Sequence, residues 1–372
     1  MATFNSSASR RVSNALPVAL AAVLAACGSG GGGTGAPASN GGPATTPPAA
    51  AAFVRMWSPN YNQGEMRAWS YASLQADRTD DPDVVVILPA GTRPNAATFD
   101  ATGAMWVTDN ANNRLLKFSR DQIQISGTPT PRVVIDTDGT SLRAPIGLAF
   151  DRLDNLWVAV DQRIEKYVPS NLDNSGPTTP NGTISATGFQ FPADITFDAA
   201  GNLWLSNAST TVANNAVFVF TPSQQTAGGL QTPRLKLQSL AFALIEGLRF
   251  DAAGALWVAS NDGLNVARFA ATSVALPLAA ETRTLVPEAS LEADANDTAL
   301  GRTVRKPGGM VFDRDGNLWI NSERGTAGDF QSGLVRFTSA QRTFIGPRQV
   351  LASVLVRNST SNPGFGGMCL EL

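Results

Sequence analysis

Short apolar runs alternate with turn residues along most of the chain, and one pattern recurs: an apolar run ending in Phe-Asp, a turn, then Leu-Trp or Met-Trp and a second run. It reads "RPNAATFDATGAMWVTDN" at 93–110, "APIGLAFDRLDNLWVAVD" at 144–161 and "FPADITFDAAGNLWLSNA" at 191–208. It returns as "LIEGLRFDAAGALWVASN" at 244–261 and "KPGGMVFDRDGNLWINSE" at 306–323. The runs are rich in Val, Ile, Leu, Phe and Trp, which suit a pleated, half-buried surface. Asp at the turn start bonds its own backbone and Gly takes a positive φ, so each unit predicts a β-hairpin. A third and a fourth apolar run follow, such as "RLLKFSR" then "RVVIDT", or "LVRFTS" then "RQVLASV". No helical period competes after residue 53.

The pattern phenylalanines stand at 99, 150, 197, 250 and 312. Four strands per unit of about 50 residues describe a propeller blade. Five hairpins are complete. Before them, "FVRMWS…EMRAWS…VVVIL" supplies the second, third and fourth strands of a blade whose first strand is missing. The missing strand is at the other end, where "GGMCLE" (366–371) aligns without gaps on "GGMVFD" (308–313). The expected fold is therefore all-β, a six-bladed β-propeller over 53–372, closed by a C-terminal strand that completes the N-terminal blade. Closure removes the two exposed edges of an open array. In this register Trp57, Trp106, Trp157, Trp204, Trp257 and Trp319 occupy one equivalent position per blade. They are expected as inter-blade core, each burying roughly 150–250 Å². Cys369 takes the place of Val311 and is expected as a small buried side chain.

The first 52 residues read differently. Two arginines and an apolar run over 15–26, too short to span a bilayer, form a secretory leader. It ends in "LAAC" (24–27), which resembles the bacterial lipobox, so 1–26 reads as a lipoprotein signal peptide and Cys27 as the lipidated residue. Residues 27–52 are rich in Gly, Pro, Ala and Thr without charge, a flexible tether. Export and lipid anchoring in the bacterial envelope follow, with Gly28 after the cysteine favouring the outer membrane. The other cysteine, Cys369, is left without an intramolecular partner, so no disulfide framework is expected. Net charge is −2, with neither sign in a block, which excludes a nucleic-acid surface. The chain holds no histidine. That removes His-dependent nucleophiles, His general bases and imidazole metal ligands, and no G-x-S-x-G elbow is present.

The repeat P-x-G-ϕ-x-F-D-x-x-G-N-L-W-V, with ϕ apolar, resembles NHL-type repeats, and "RPNAATFDATGAMWVTDNANNRLLKFS" matches most fully. It is also similar to the gluconolactonase/regucalcin family, likewise six-bladed. The resemblance covers 53–372 and implies the architecture; the superfold carries enzymes and scaffolds alike. Lyases of similar shape lean on histidine, which this chain lacks. A site is expected on the rim where the first strands start and the second strands end. One column lies four residues before each Phe: Asn95, Ile146, Ala193, Glu246, Gly308 and Gly366. The other lies three residues after each Trp: Asn60, Asp109, Val160, Asn207, Ser260 and Ser322, followed by Tyr61, Asn110, Asp161, Ala208, Asn261 and Glu323.

In regucalcin-like enzymes the first column ligates a divalent cation that polarises a lactone carbonyl. Carried over, the resemblance implies Glu246 and Asn95 as ligands to a cation such as calcium, with Asn207 and Asp109 contributing. Only Asn95 and Glu246 match the column, and Asp194 falls one position late, so strand alternation points it away from the channel. Glu246 otherwise reads as a solvated carboxylate in a water-filled channel. Two functions remain open. One is an envelope lipoprotein, monomeric, whose rim binds a small molecule, glycan or protein through Asn95, Asp109, Asn207, Glu246 and Asn261. The other is a metal-dependent hydrolase of lactones or esters. The long insertion at 287–309 is expected on the same face.

Overall fold

The computed structural model describes residues 25–26, 54–79, 81–294, 303–324, 331–357 and 367–371. The lipobox cysteine, the tether and Gly366 lie outside the described residues. Six antiparallel four-stranded sheets follow one another along the chain. In blade II the order from the axis outward is Pro94–Phe99, Met105–Asp109, Arg114–Phe118 and Val133–Asp136. The inner strands of blades III to VI are Leu148–Phe150, Phe191–Phe197, Ile245–Phe250 and Pro307–Phe312. The fold is the expected six-bladed propeller. Its one α-helix among the described residues, Pro222–Ala227, is a single capped turn that hydrophobic periodicity misses. No described helix is long and apolar enough to cross a membrane.

Blade I closes as the repeat alignment requires. Cys369–Glu371 pairs antiparallel with Arg55–Asn60, setting Trp57 opposite Cys369 just as Trp319 stands opposite Val311. Cys369 is fully buried, as expected. All six repeat tryptophans are at most 2% exposed. The Asp of each Phe-Asp pair explains its own recurrence: it accepts from the Trp indole nitrogen of its blade at 2.8–3.1 Å in blades II to VI. In blade I the same bond comes from the other end of the chain, Trp57 Nε1 donating to Glu371 Oε2 at 3.0 Å. A buried indole N–H without an acceptor would cost about 1–3 kcal/mol, so the Phe-Asp…Trp spacing is a structural constraint first.

Each outer strand is covered by a segment from the next blade, a feature the sequence reading lacked. Gly176–Pro177 pairs in parallel with the outer strand of blade II, and Gly229–Leu230 with that of blade III. Glu281–Thr284 and Gly346–Arg348 do the same for blades IV and V. Single bridges at Gly127 and Arg78 cover blades I and VI. Unpaired outer N–H and C=O groups thereby gain partners all round the ring. The expectation for "RQVLASV" is corrected accordingly. Gly346–Arg348 is the strap on blade V, and the fourth strand of blade VI is Val354–Arg357. The insertion at 287–309 likewise begins with a strand, Ala289–Glu292, the fourth of blade V. Its residues 295–302 lie outside the described residues.

A two-residue strand, Ala25–Ala26, pairs in parallel with the inner strand of blade III, on its axial side.

Candidate functional site: the axis and its rim

The inner strands do not alternate simply along their length. Register shifts between Pro94 and Ala97, Pro192 and Ile195, Ile245 and Leu248, and Pro307 and Met310 put a bulge at the first-column position in four blades. A bulge bends the strand and re-aims its side chains. Its freed backbone is caught by the residue two beyond the Trp. Thr108 Oγ1 donates to Ile146 O of the next blade at 2.9 Å and accepts from Ala96 N. Ser206 Oγ does the same for Glu246 O and Asp194 N, and Asn321 Oδ1 accepts from Gly308 N and Gly309 N.

This packing changes the expected first column. With Ala25–Ala26 seated on the axial side of the inner strands, Asn95 is 1% exposed and Glu246 0%, so Glu246 is buried in the full chain. Asp194 does not turn away from the inner strands either. Its Oδ2 accepts from Leu248 N at 3.0 Å and Arg249 Nη1 at 2.5 Å on the next blade, while Oδ1 has no partner. Alternation fails there because the bulge intervenes. Burial pushes the Asp194 carboxyl up to about 7, against the pull of Arg249.

The second column is buried as well, and Asp109, Asn207, Ser260 and Ser322 each clamp the loop leading into their own blade. Asp109 Oδ1 accepts from Arg93 N at 3.1 Å, and Asn207 Oδ1 from Gln190 N at 2.8 Å. Ser260 and Ser322 hold Ala243 and Arg305 in the same way. Asp109 Oδ2 is further taken by Asn112 and by Arg114 Nε, both at 2.8 Å. Asn207 Nδ2 donates to Gly188 O and Asn214 O. Asn261 is 4% exposed, and its backbone N–H donates to Leu244 O at 3.1 Å. Asn95 and Glu246, on blades II and V, remain across the axis from each other.

A divalent cation does not fit this set. Hard cations want six to eight oxygens including several carboxylates. Asp109 and Asn207 are committed to their hairpins, and Ile146, Ala193 and Gly308 complete the column. Of the four proposed ligands, Asn95 carries a buried Oδ1 that no clamp reaches among the described residues. Among the described residues no group of three acidic, cysteine or histidine side chains is arranged to hold a metal.

Beside the exposed acids Asp161 and Asp262, the rim exposes cations that repeat at one place in the blade. The residue just before the clamped inner strand is Arg93 in blade II and Lys306 in blade VI. Its blade III equivalent is Arg143, whose carbonyl accepts from Asp161 N as Arg93 O does from Asn110 N. Blades IV and V have Phe191 and Leu244 there. Arg93 and Arg143 are exposed. Arg93 lies 5.2 Å over the Tyr61 ring, whose hydroxyl burial raises against the opposing effect of that arginine. Lys306 reaches Asp262 only at 3.8 Å, with both side chains about half exposed, where a pair contributes little. The readable signal was a cation two residues before the inner-strand bulge in blades II and VI.

No protein-family model matches the chain, and no curated protein matches it in sequence. Among solved structures it is similar to a protein of unknown function from Bacteroides caccae, at 13% identity and a TM-score of 0.53, covering 82% of this chain and 99% of that one. It is similar to a streptogramin B lyase at 15% identity and a TM-score of 0.51, covering 85% and 90%. The RRP9 WD40 repeats match at 10% identity and a TM-score of 0.50, covering 83% and 78%. At these identities the likeness is one of fold, and the fold shared is the β-propeller.

Proposed function

We propose that the protein is an exported, lipid-anchored scaffold whose propeller rim binds an anionic ligand, a glycan or protein surface bearing carboxylates or phosphates. In this reading residues 1–26 are the leader, Cys27 carries the lipid and 27–52 tether the disc to the membrane. Removal of the leader takes Ala25–Ala26 away from the inner strand of blade III and leaves the axis to solvent. The observation that carries the reading is the division of labour on the rim. The acceptor-rich columns are consumed by the protein's own backbone, while Arg93, Arg143 and Lys306 repeat at one structural position with weak or no acidic partners. Cations held on rigid strand ends attract an anionic surface over about a Debye length, near 8 Å at physiological salt.

The test is a titration of the chain from residue 53 with polygalacturonate, with neutral dextran as control. Binding that weakens with salt, and at least tenfold in an Arg93→Glu, Arg143→Glu double variant, is expected. Equal binding of both polymers, or no effect of the double variant, would remove the reading.

The hydrolase reading keeps one supporting feature, the orphaned Asn95 Oδ1. No step through a cation is derived from it.

A further inference from the structure

On the face opposite the rim, the Phe-Asp turns of blades V and VI border a cavity of about 540 Å³. Its walls include Phe312, Phe344, Arg268 and Arg342. Arg342 ends the 3-10 turn Ala340–Arg342 that follows the third strand of blade VI. Its guanidinium lies in the seam between two blades, 5.3 Å from the Trp257 ring centre and 4.9 Å from that of Phe312. Nη2 donates to Gly316 O. Nε is buried with no acceptor, and no carboxylate forms an ion pair with the group among the described residues. Burial lowers its pKa from the ordinary arginine value, against the opposing pull of Asp251 and Asp313.

Every other charge in the cavity wall has a partner, Arg314 lying 4.3 Å over the Tyr71 ring and 3.7 Å from Asp315. Arg268 pairs with Asp251 at 3.5 Å and with Glu288. Asp251 and Asp313 accept from Trp257 and Trp319, each at 3.0 Å, and from backbone N–H groups of their turns.

The repeat makes Arg342 conspicuous. Five residues after the aromatic that closes each third strand stand Leu74, Ile123, Leu172, Gln225, Val274 and Arg342. Four are apolar and almost wholly buried in the seams. In blade IV, Gln225 Nε2 donates to Gly201 O at 2.8 Å, the counterpart of Gly316 O. Blade VI alone spends this structural position on a positive charge, and it does so where a cavity opens.

We propose that this cavity binds a small organic monocarboxylate, its carboxylate on Arg342 and its apolar body against Phe312 and Phe344. A planar guanidinium matches a carboxylate edge to edge. One uncommitted cation calls for one negative charge, and Asp251, Asp313 and Glu288 in the walls repel a dianion such as phosphate. The aromatic walls require an apolar body, and the volume falls within the usual range for small-molecule pockets, about 300–1,000 Å³.

The experiment is calorimetric titration of the full chain with 3-phenylpropionate, its uncharged amide, acetate and inorganic phosphate, with tryptophan fluorescence reporting on Trp257 beside the site. Saturable 3-phenylpropionate binding is expected, with the amide, acetate and phosphate each at least tenfold weaker. Arg342→Gln, which blade IV shows to be compatible with the seam, is expected to lower 3-phenylpropionate affinity at least tenfold. No saturable binding, equal affinity for acid and amide, tighter binding of phosphate, or undiminished affinity in Arg342→Gln would each overturn the proposal. The amide comparison needs no variant, so it decides even where Arg342→Gln folds poorly.

Discussion

Replacing Met368 by alanine perturbs the closing strand with little else. Met368 is 0% exposed and packs with Met56, Trp69, Leu74, Val311, Trp319 and Leu370 in the seam between blades I and VI. Its repeat counterpart is Met310 on the inner strand of blade VI, also 0% exposed. Truncating a buried Met, Leu or Ile to Ala costs about 2–5 kcal/mol, the lost transfer free energy plus the cavity left behind. A methionine within a few residues of a chain end would ordinarily cost far less, because ends fray and the site empties into water. Three registered pairs to Arg55–Trp57, the Glu371–Trp57 bond and the Gly367 N to Asn95 O bond at 2.8 Å hold this end in place. The expected penalty is therefore about 3 kcal/mol for both Met368→Ala and Met310→Ala, measured by urea unfolding of residues 53–372. A Met368→Ala loss below about 0.5 kcal/mol beside a full Met310→Ala loss would mean the ring is not closed by this strand.

Two further outcomes follow from the same geometry. Glu371→Ala leaves Trp57 Nε1 buried without an acceptor and is expected to cost about 2 kcal/mol; a midpoint unchanged in thermal unfolding would deny that the bond matters. Asp194, with its folded pKa raised to about 7 from an unfolded value of about 3.9, keeps a proton that the unfolded chain loses between those values. Its contribution to stability is then greatest below about pH 4, falls as pH rises to about 7 and is flat above. The stability of wild type minus that of Asp194→Asn should fall across that window by up to about 4 kcal/mol; a value that stays flat or rises would mean the carboxyl is ionised in the fold.

The architecture was legible because it is written as a repeat. Phe-Asp, turn and Leu-Trp fix strand, bend and strand, and the missing strand of blade I shows as an alignment of Met368 on Met310. The outer straps were not legible, since pairings as short as Gly176–Pro177 carry no period; their trace is a recurring Ser-Gly or Gly-Gly a few residues before Thr-Pro, at 126–131, 175–180 and 228–233. Asn95, Ala193, Glu246 and Gly308 lie on their inner strands and Ile146 just ahead of its own, but alternation says nothing of bulges or of loops folded over strand ends. Asp109 and Asn207 therefore looked like ligands when their oxygens hold backbone N–H groups. Arg342 escaped notice because a surface arginine after a strand is ordinary until the apolar residues at the same place in other blades are set beside it.

In the scaffold proposed above, the axis serves the fold and the rim does the binding, with no metal-dependent hydrolysis. Thermal unfolding of residues 53–372 with and without Ca²⁺, Mn²⁺ and Zn²⁺, in wild type and Glu246→Ala, tests it most directly. No cation is expected to move the wild-type midpoint by more than about one degree, as follows when no site gains binding free energy on folding. A cation-dependent rise that disappears in Glu246→Ala would contradict it.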